Sequence, residues 1–148
     1  MIAIIALGSN LGDRQAHLGA ALASLGELGT VTPSPLTMET PDESGRGPAY
    51  LNTVVRLETP GRDFRRLLEE LLRRELRLGR DRSEGRNAPR TVDLDLIAVD
   101  GRAGSWSWET PEDLAPHLGT ELHLELPHPR AFDRPFVMGP WKALDEEP

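Results

Sequence analysis

Two carboxylates stand two residues apart in "PRTVDLDLIAVD", residues 89–100. Thr91 to Val99 alternates with the period of a β-strand. Val92, Leu94, Leu96 and Ala98 then share one face, and Thr91, Asp93, Asp95, Ile97 and Val99 the other. On one face of a strand, Asp93 and Asp95 sit roughly 6–7 Å apart. At an effective dielectric of about 20 they repel by about 2–3 kcal/mol. A cation must relieve that repulsion, and two kinds fit. Arg80, Arg82, Arg86 and Arg90 lie just upstream in "GRDRSEGRNAPR" and could pair with solvated carboxylates on an edge strand. A hard divalent ion such as Mg²⁺ relieves it better, taking one or two carboxylates and completing its shell with waters and substrate phosphates. Arginines beside an acidic pair are also the parts phosphoryl transfer needs, since it rests on positioning and on neutralising phosphate oxygens. No Walker A lysine loop or kinase-type glycine-rich loop is present.

The elements that carry these residues follow from periodicity. Ile2 to Leu7 is a buried strand, and "GSNLGD" a turn with Asn10 or Asp13 as helix cap. Gly8, Ser9 and Asn10 follow a strand and precede a helix, but without the spacing of a phosphate-binding fingerprint. A helix runs from Arg14 to Leu25 with Leu18, Ala21, Leu22 and Leu25 on its stripe. The Pro-, Thr- and Gly-rich stretch 30–50 holds a short strand and a loop, and Tyr50 to Thr59 is a further strand. Arg62 to Leu78 is the clearest helix, its stripe made by Phe64, Leu67, Leu68, Leu71, Leu72 and Leu76. Glu75 also falls on that stripe, either as a functional carboxylate or at a fraying edge beside an arginine. A hairpin-like excursion follows, in which Trp106 and Trp108 read as packing residues. A short strand then leads to His128 between two prolines, with Arg134 just before Phe136 and Val137. The order β-α-β-β-α-β-β predicts an α+β fold, ferredoxin-like, with a mostly antiparallel sheet flanked by two helices in α-β-α layers.

At 148 residues with 38% hydrophobic content, the chain is expected to form a single domain over 1–148. It has no cysteine, hence no thiolate metal site, and its four histidines show no H-E-x-x-H spacing. Any metal is therefore carboxylate-led. A net charge of −7 argues against nucleic acid as a partner. Arginines concentrated within an acidic chain suit a small anionic ligand instead. No apolar run approaches the ~20 residues of a membrane span. "MIAIIAL" reads as a strand rather than a leader, so a cytoplasmic protein is expected; a monomer is the expected state.

Four segments in order, "ALGSNLGD", "TPDESGRGPAYLN", "RSEGRNAPRTVDLDL" and "LPHPRAFDRPFV", resemble the signatures of the 6-hydroxymethyl-7,8-dihydropterin pyrophosphokinases of folate biosynthesis. The resemblance covers roughly residues 2–100 and 124–140. It implies transfer of pyrophosphate from ATP to the pterin hydroxymethyl group, leaving AMP. It further implies two Mg²⁺ ions on Asp93 and Asp95, and ATP contacts from Glu75, Arg82, Arg86, Arg90, His128 and Arg134. Arg82, Arg90 and Asp95 would be catalytic, and the pterin would meet Thr40, Pro41, Tyr50, Asn52 and Phe136. The residue chemistry agrees: a flat heteroaromatic ring stacks on Tyr50 or Phe136, and its amide-like edge suits Asn52, which can donate and accept. Three features depart from the pattern: Asn87 replaces a tryptophan common in the arginine loop, 103–125 is long, and little chain follows "RPFVM". The loops 41–49 and 81–88 are expected to close over the ligands. The rival readings are a Mg²⁺-dependent phosphohydrolase and a non-catalytic nucleotide-binding module of the same fold.

Overall fold

Ile2–Ser9 forms the first strand, β1, two residues longer than its apolar run suggests, because Gly8 and Ser9 continue the ladder rather than turn. The computed structural model describes residues 1–42, 45, 47–79 and 92–145. β1 pairs antiparallel with β4 (Tyr50–Glu58) on one side and with β5 (Asp93–Val99) on the other. The stretch expected to hold one short strand holds two. β2 (Thr30–Pro33) pairs with the C-terminal half of β4, and β3 (Met38–Thr40) with its N-terminal end. The order β2-β4-β1-β5 interleaves two β-α-β units, each split by a strand of the other. This is the ferredoxin-like α+β arrangement.

Both crossover helices lie on one face. α1 (Arg14–Leu25) starts where Asp13 Oδ1 accepts from Ala16 N at 3.1 Å; α2 (Phe64–Arg77) starts where Asp63 Oδ1 accepts from Arg65 N and Arg66 N. Leu18, Ala21, Leu25, Phe64, Leu67 and Leu71 bury their stripes against Ile5, Leu7, Val55, Leu57, Leu94 and Leu96. The end of α2 departs from its predicted stripe, since Arg74 and Glu75 are buried while Leu72 and Leu76 are half-buried.

A third helix, α4 (Pro135–Asp145), covers the opposite face and completes the α-β-α layers. The sequence reading has no helix here, because Gly139 and Pro140 inside it are residues that ordinarily end one. Tertiary packing overrides that preference: Val137, Leu144 and Trp141 close over Ile4, Ala6, Val54 and Ile97.

β5 carries a bulge. Ile5 pairs with Leu96 but Ile4 with Ala98, so Ile97 is the extra residue, and the alternation reverses beyond it. Val99 consequently joins Leu94 and Leu96 under α1 and α2, while Ala98 packs with Ile97 on the α4 side, the reverse of the strict period-two assignment. Asp93 and Asp95 precede the bulge and keep their shared face.

The long excursion is a separate two-stranded sheet of β6 (Gly104–Glu109) and β7 (Glu121–Leu126), joined through the short α3 (Ala115–Leu118). Its tryptophans pack, as expected. Trp106 meets Phe64 edge-on at 4.7 Å between centroids, and Trp108 Nε1 donates to Glu69 at 2.9 Å. Arg73 fastens the connection to α2 through bonds of 2.8 and 3.1 Å to Asp113. Those bonds hold the Asp113 carboxyl below the usual range. The contact is therefore present at neutral pH and lost as pH falls through that lowered value.

Candidate active site

Strand register assembles a cavity from residues far apart in sequence. On the α4 face, Asn52 of β4, Gly8 of β1 and Asp93 of β5 form one cross-strand row, and Val54, Ala6 and Asp95 form the next. Adjacent strands lie about 4.8 Å apart, so Asn52 and Asp93 flank a gap of roughly 10 Å. Between them β1 offers only glycine and alanine. A Cβ on Gly8 would lie 3.0 Å from Asn52 Oδ1 and 3.5 Å from Tyr50 Cδ1, so the missing side chain keeps the floor open. The resulting cavity of about 770 Å³ has the volume of a drug-sized ligand site.

Its walls carry most of the residues singled out from the sequence. Thr40, Pro41, Tyr50, Asn52, Phe136, Asp93, Asp95 and Arg134 all line it. Asn52 is 7% exposed and donates from Nδ2 to Met38 O at 3.1 Å and to Thr40 Oγ1 at 3.0 Å. Both amide hydrogens are thereby used, and Oδ1 faces Gly8 and the cavity as an acceptor. The expectation that Asn52 would both donate and accept toward a ligand narrows to accepting. Arg134 follows a short 3₁₀ turn, Ala131–Asp133, and its Cζ lies 5.7 Å from the Phe136 ring centroid. A guanidinium and an aromatic ring thus lie side by side in the lining that also holds the two carboxylates.

Two nucleotide-side candidates lie outside this lining. His128 donates its backbone N–H to Ile97 O at 2.8 Å, on the bulge of β5. Its Nδ1 accepts from Arg130 N at 3.2 Å, so the neutral ring carries its proton on Nε2. Glu75 is 6% exposed rather than fraying, and its Oε1 accepts from Leu94 N at 2.8 Å. Leu94 stands between the two aspartates on an edge strand, so a buried carboxylate of α2 holds the backbone that aims them. Arg82, Arg86 and Arg90, with Arg80, Asn87 and Thr91, lie outside the described residues, as does the whole of the 81–88 loop expectation.

The sequence reading missed Ala6, Leu7, Gly8, Asp42, Thr53 and Val137 as lining residues. Gly8 was visible only as a turn, since its place opposite both Asn52 and Asp93 exists only once the strands pair. Asp42 follows Thr40 and Pro41 directly and could have been included by adjacency. Its Oδ2 accepts from Gly47 N at 3.0 Å and its carbonyl from Gly45 N at 2.9 Å, which folds this rim of the cavity.

The sequence matches the 7,8-dihydro-6-hydroxymethylpterin-pyrophosphokinase family over residues 4–146. The chain belongs to this family. Proteins named 2-amino-4-hydroxy-6-hydroxymethyldihydropteridine pyrophosphokinase are among its relatives. That of Bacillus subtilis is 37% identical over 99% of this chain and 79% of its own. Those of Mycobacterium leprae and Mycobacterium bovis are 35% and 34% identical, over 97% and 96% of this chain and 72% and 71% of theirs. The pyrophosphokinase family is ATP-utilising and generally Mg²⁺-dependent, and the donor set here fits that ion. Among the described residues no cluster of three or more acids, histidines or cysteines could enclose a metal. Two hard carboxylates facing an open cavity leave the remaining coordination to water and phosphate.

The Glu75 contact gives a direct expectation for a pyrophosphokinase of this architecture. Glu75→Ala leaves the Leu94 N–H buried and unpaired and should cost about 1–3 kcal/mol, a fall of several degrees in the thermal midpoint. It should also weaken Mg²⁺-ATP binding, because the aspartates lose their fixed aim. Glu75→Gln retains an accepting oxygen and should restore both the melting temperature and calorimetric ATP binding toward wild type. Equal damage from Gln and Ala would show that charge, not the strand contact, is what Glu75 supplies.

Proposed function

We propose that the chain transfers the β,γ-pyrophosphoryl group of ATP to 6-hydroxymethyl-7,8-dihydropterin, as one catalytic domain. The hydroxymethyl oxygen attacks the β phosphorus and loses its proton, the bridge from the α phosphate breaks, and AMP leaves. The observation that carries this reading is one cavity lined both by Asp93 and Asp95 and by the ring-binding set Thr40, Pro41, Tyr50, Asn52 and Phe136. A ring held by Asn52 and Phe136 places its side arm toward β5, and a triphosphate entering over Asp93 and Asp95 meets it there. Positioning of this kind supplies a large share of the barrier reduction in a two-substrate reaction.

Asp93 and Asp95 would hold Mg²⁺, as two ions, which when bound would supply charge neutralisation at the triphosphate. Arg134 grips phosphate by charge-assisted hydrogen bonds, joined by Arg82, Arg86 and Arg90. Arg82 and Arg90 act with Asp95 at the reacting phosphate. His128 offers its Nε2–H to the nucleotide, and Glu75 serves the nucleotide side through the strand it fastens. Asn52 Oδ1 accepts from the N–H edge of the pterin, while Tyr50 and Phe136 sandwich or border its ring. No helix of the described chain is long and apolar enough to cross a membrane, and we assign the enzyme to the cytoplasm as a monomer.

One assay discriminates among the readings. Protein, Mg²⁺ and ATP are incubated with and without the hydroxymethyl pterin, and nucleotides are separated. AMP formed only with pterin is the expected outcome. Pterin-independent phosphate release would replace this reading with a phosphohydrolase, and absence of turnover with a binding module.

A further inference from the structure

Four guanidiniums gather at the start of α2, on the face of the sheet opposite the cavity, outnumbering the carboxylates beside them. Arg62, Arg65, Arg66 and Arg102 border an open groove of about 1080 Å³ whose floor includes Trp106 and Trp108. Two acids, Asp63 and Glu69, share the lining, and they and their neighbours make other contacts. Asp63 caps the helix, Glu69 accepts from Trp108, and Glu70 and Asp113 bind Arg73. Among the described residues, none of these four arginines forms a side-chain ion pair. Two are nonetheless held in place, Arg65 with Cζ 5.7 Å from the Trp108 ring centroid and Arg102 with Cζ 4.9 Å from that of Phe64. Contact with a ring face fixes the plane of a guanidinium and leaves its N–H edges available to an anion.

We infer that this groove docks an acidic segment of a partner protein, leaving the cavity on the other face unobstructed. Three observations select that occupant. A small ligand is ordinarily held in an enclosing pocket that buries most of its surface, whereas this site is an open trough. Single-stranded nucleic acid needs free ring faces for stacking, and here Arg65 covers Trp108, Arg102 covers Phe64, and Trp106 is packed edge-on against Phe64. A long polyanion would also run beyond the patch onto a protein of net charge −7. A short run of carboxylates matches the guanidinium forks in bidentate geometry and ends where the patch ends.

The test is fluorescence anisotropy of the full chain with a labelled hexaglutamate peptide, beside a labelled oligothymidylate of equal charge. The peptide is expected to bind saturably at low salt and more tightly than the oligothymidylate. Arg65→Glu with Arg102→Glu should lower peptide affinity about tenfold or more. Arg62→Glu with Arg66→Glu, which disturbs no ring contact, should do the same with the melting temperature unchanged. Pyrophosphokinase activity should stay at the wild-type level in both double variants, so a failed activity assay and a failed docking assay are separate results. No peptide binding, or binding that both double variants retain, overturns the inference. Tighter binding of the oligothymidylate, lost in the same variants, would make the groove a nucleic-acid site and overturn it equally.

Discussion

Asp95→Ala should yield a folded protein whose pterin-dependent AMP formation is at least about a thousandfold slower. The two halves of that expectation come from the same geometry. Asp95 is exposed on an edge strand, and among the described residues its side chain makes no hydrogen bond or ion pair. Removing it takes nothing from the core, and it relieves the repulsion of about 2–3 kcal/mol from Asp93 on the same strand face. The thermal midpoint without ligands should therefore match or exceed wild type. Yet Asp95 and Asp93 are the two carboxylates that β5 gives the cavity lining among the described residues, and a metal site reduced to one of them would lose both affinity and aim. A residue found unfavourable for the fold yet needed for turnover would mark a site selected for chemistry. Melting curves with and without Mg²⁺-ATP, run beside the AMP assay, separate the two effects: the variant should lose the ligand-induced stabilisation while keeping its ligand-free midpoint. Activity within tenfold of wild type would remove the metal assignment.

How far such a site can be read from the chain depends on how local its cause is. Asp93 and Asp95 were legible because two identical charges on one strand face are anomalous whatever they pair with. The crossover helices were legible because an amphipathic stripe is a local pattern, and α1 matches its predicted span of Arg14 to Leu25. What escaped was non-local. α4 contains Gly139 and Pro140, residues that propensity reads as an end to helix, and it forms because Ile4, Ala6, Val54 and Ile97 need a cover. The reversal at Val99 depends on a bulge that shows only against the pairing of Ile4 and Ile5. Gly8 has no local mark of a binding residue. Its importance comes from standing between Asn52 and Asp93, which are forty-one residues apart in the chain. Glu75 was noticed for lying on an apolar stripe, but its partner, the Leu94 N–H, is a backbone group that no side-chain pattern reveals.

The second large effect falls on the pterin side. Asn52→Ala should raise the KM for the pterin about a hundredfold and leave equilibrium ATP affinity close to wild type. Two losses combine. The first is the Oδ1 acceptor over Gly8, whose absence leaves a ligand N–H buried without a partner, worth about 1–3 kcal/mol. The second is the wall that Asn52 holds. β3 is three residues long and among the described residues pairs only with β4, and the amide of Asn52 ties it twice, at Met38 O and Thr40 Oγ1. Thr40 and Pro41 form part of the same cavity lining, so loosening β3 moves ring contacts as well as removing one. Every one of these groups lies at the β3–β4 end of the cross-strand row, away from Asp93 and Asp95, which is why ATP affinity should be spared. Asn52→Asp sharpens the test. It keeps an accepting oxygen over Gly8 but sets a carboxylate against the Met38 carbonyl, so it should lower the melting temperature at neutral pH more than Asn52→Ala does. A pterin KM unaffected by either change, measured with ATP saturating, would place the ring elsewhere and leave the small-residue floor of β1 without a purpose.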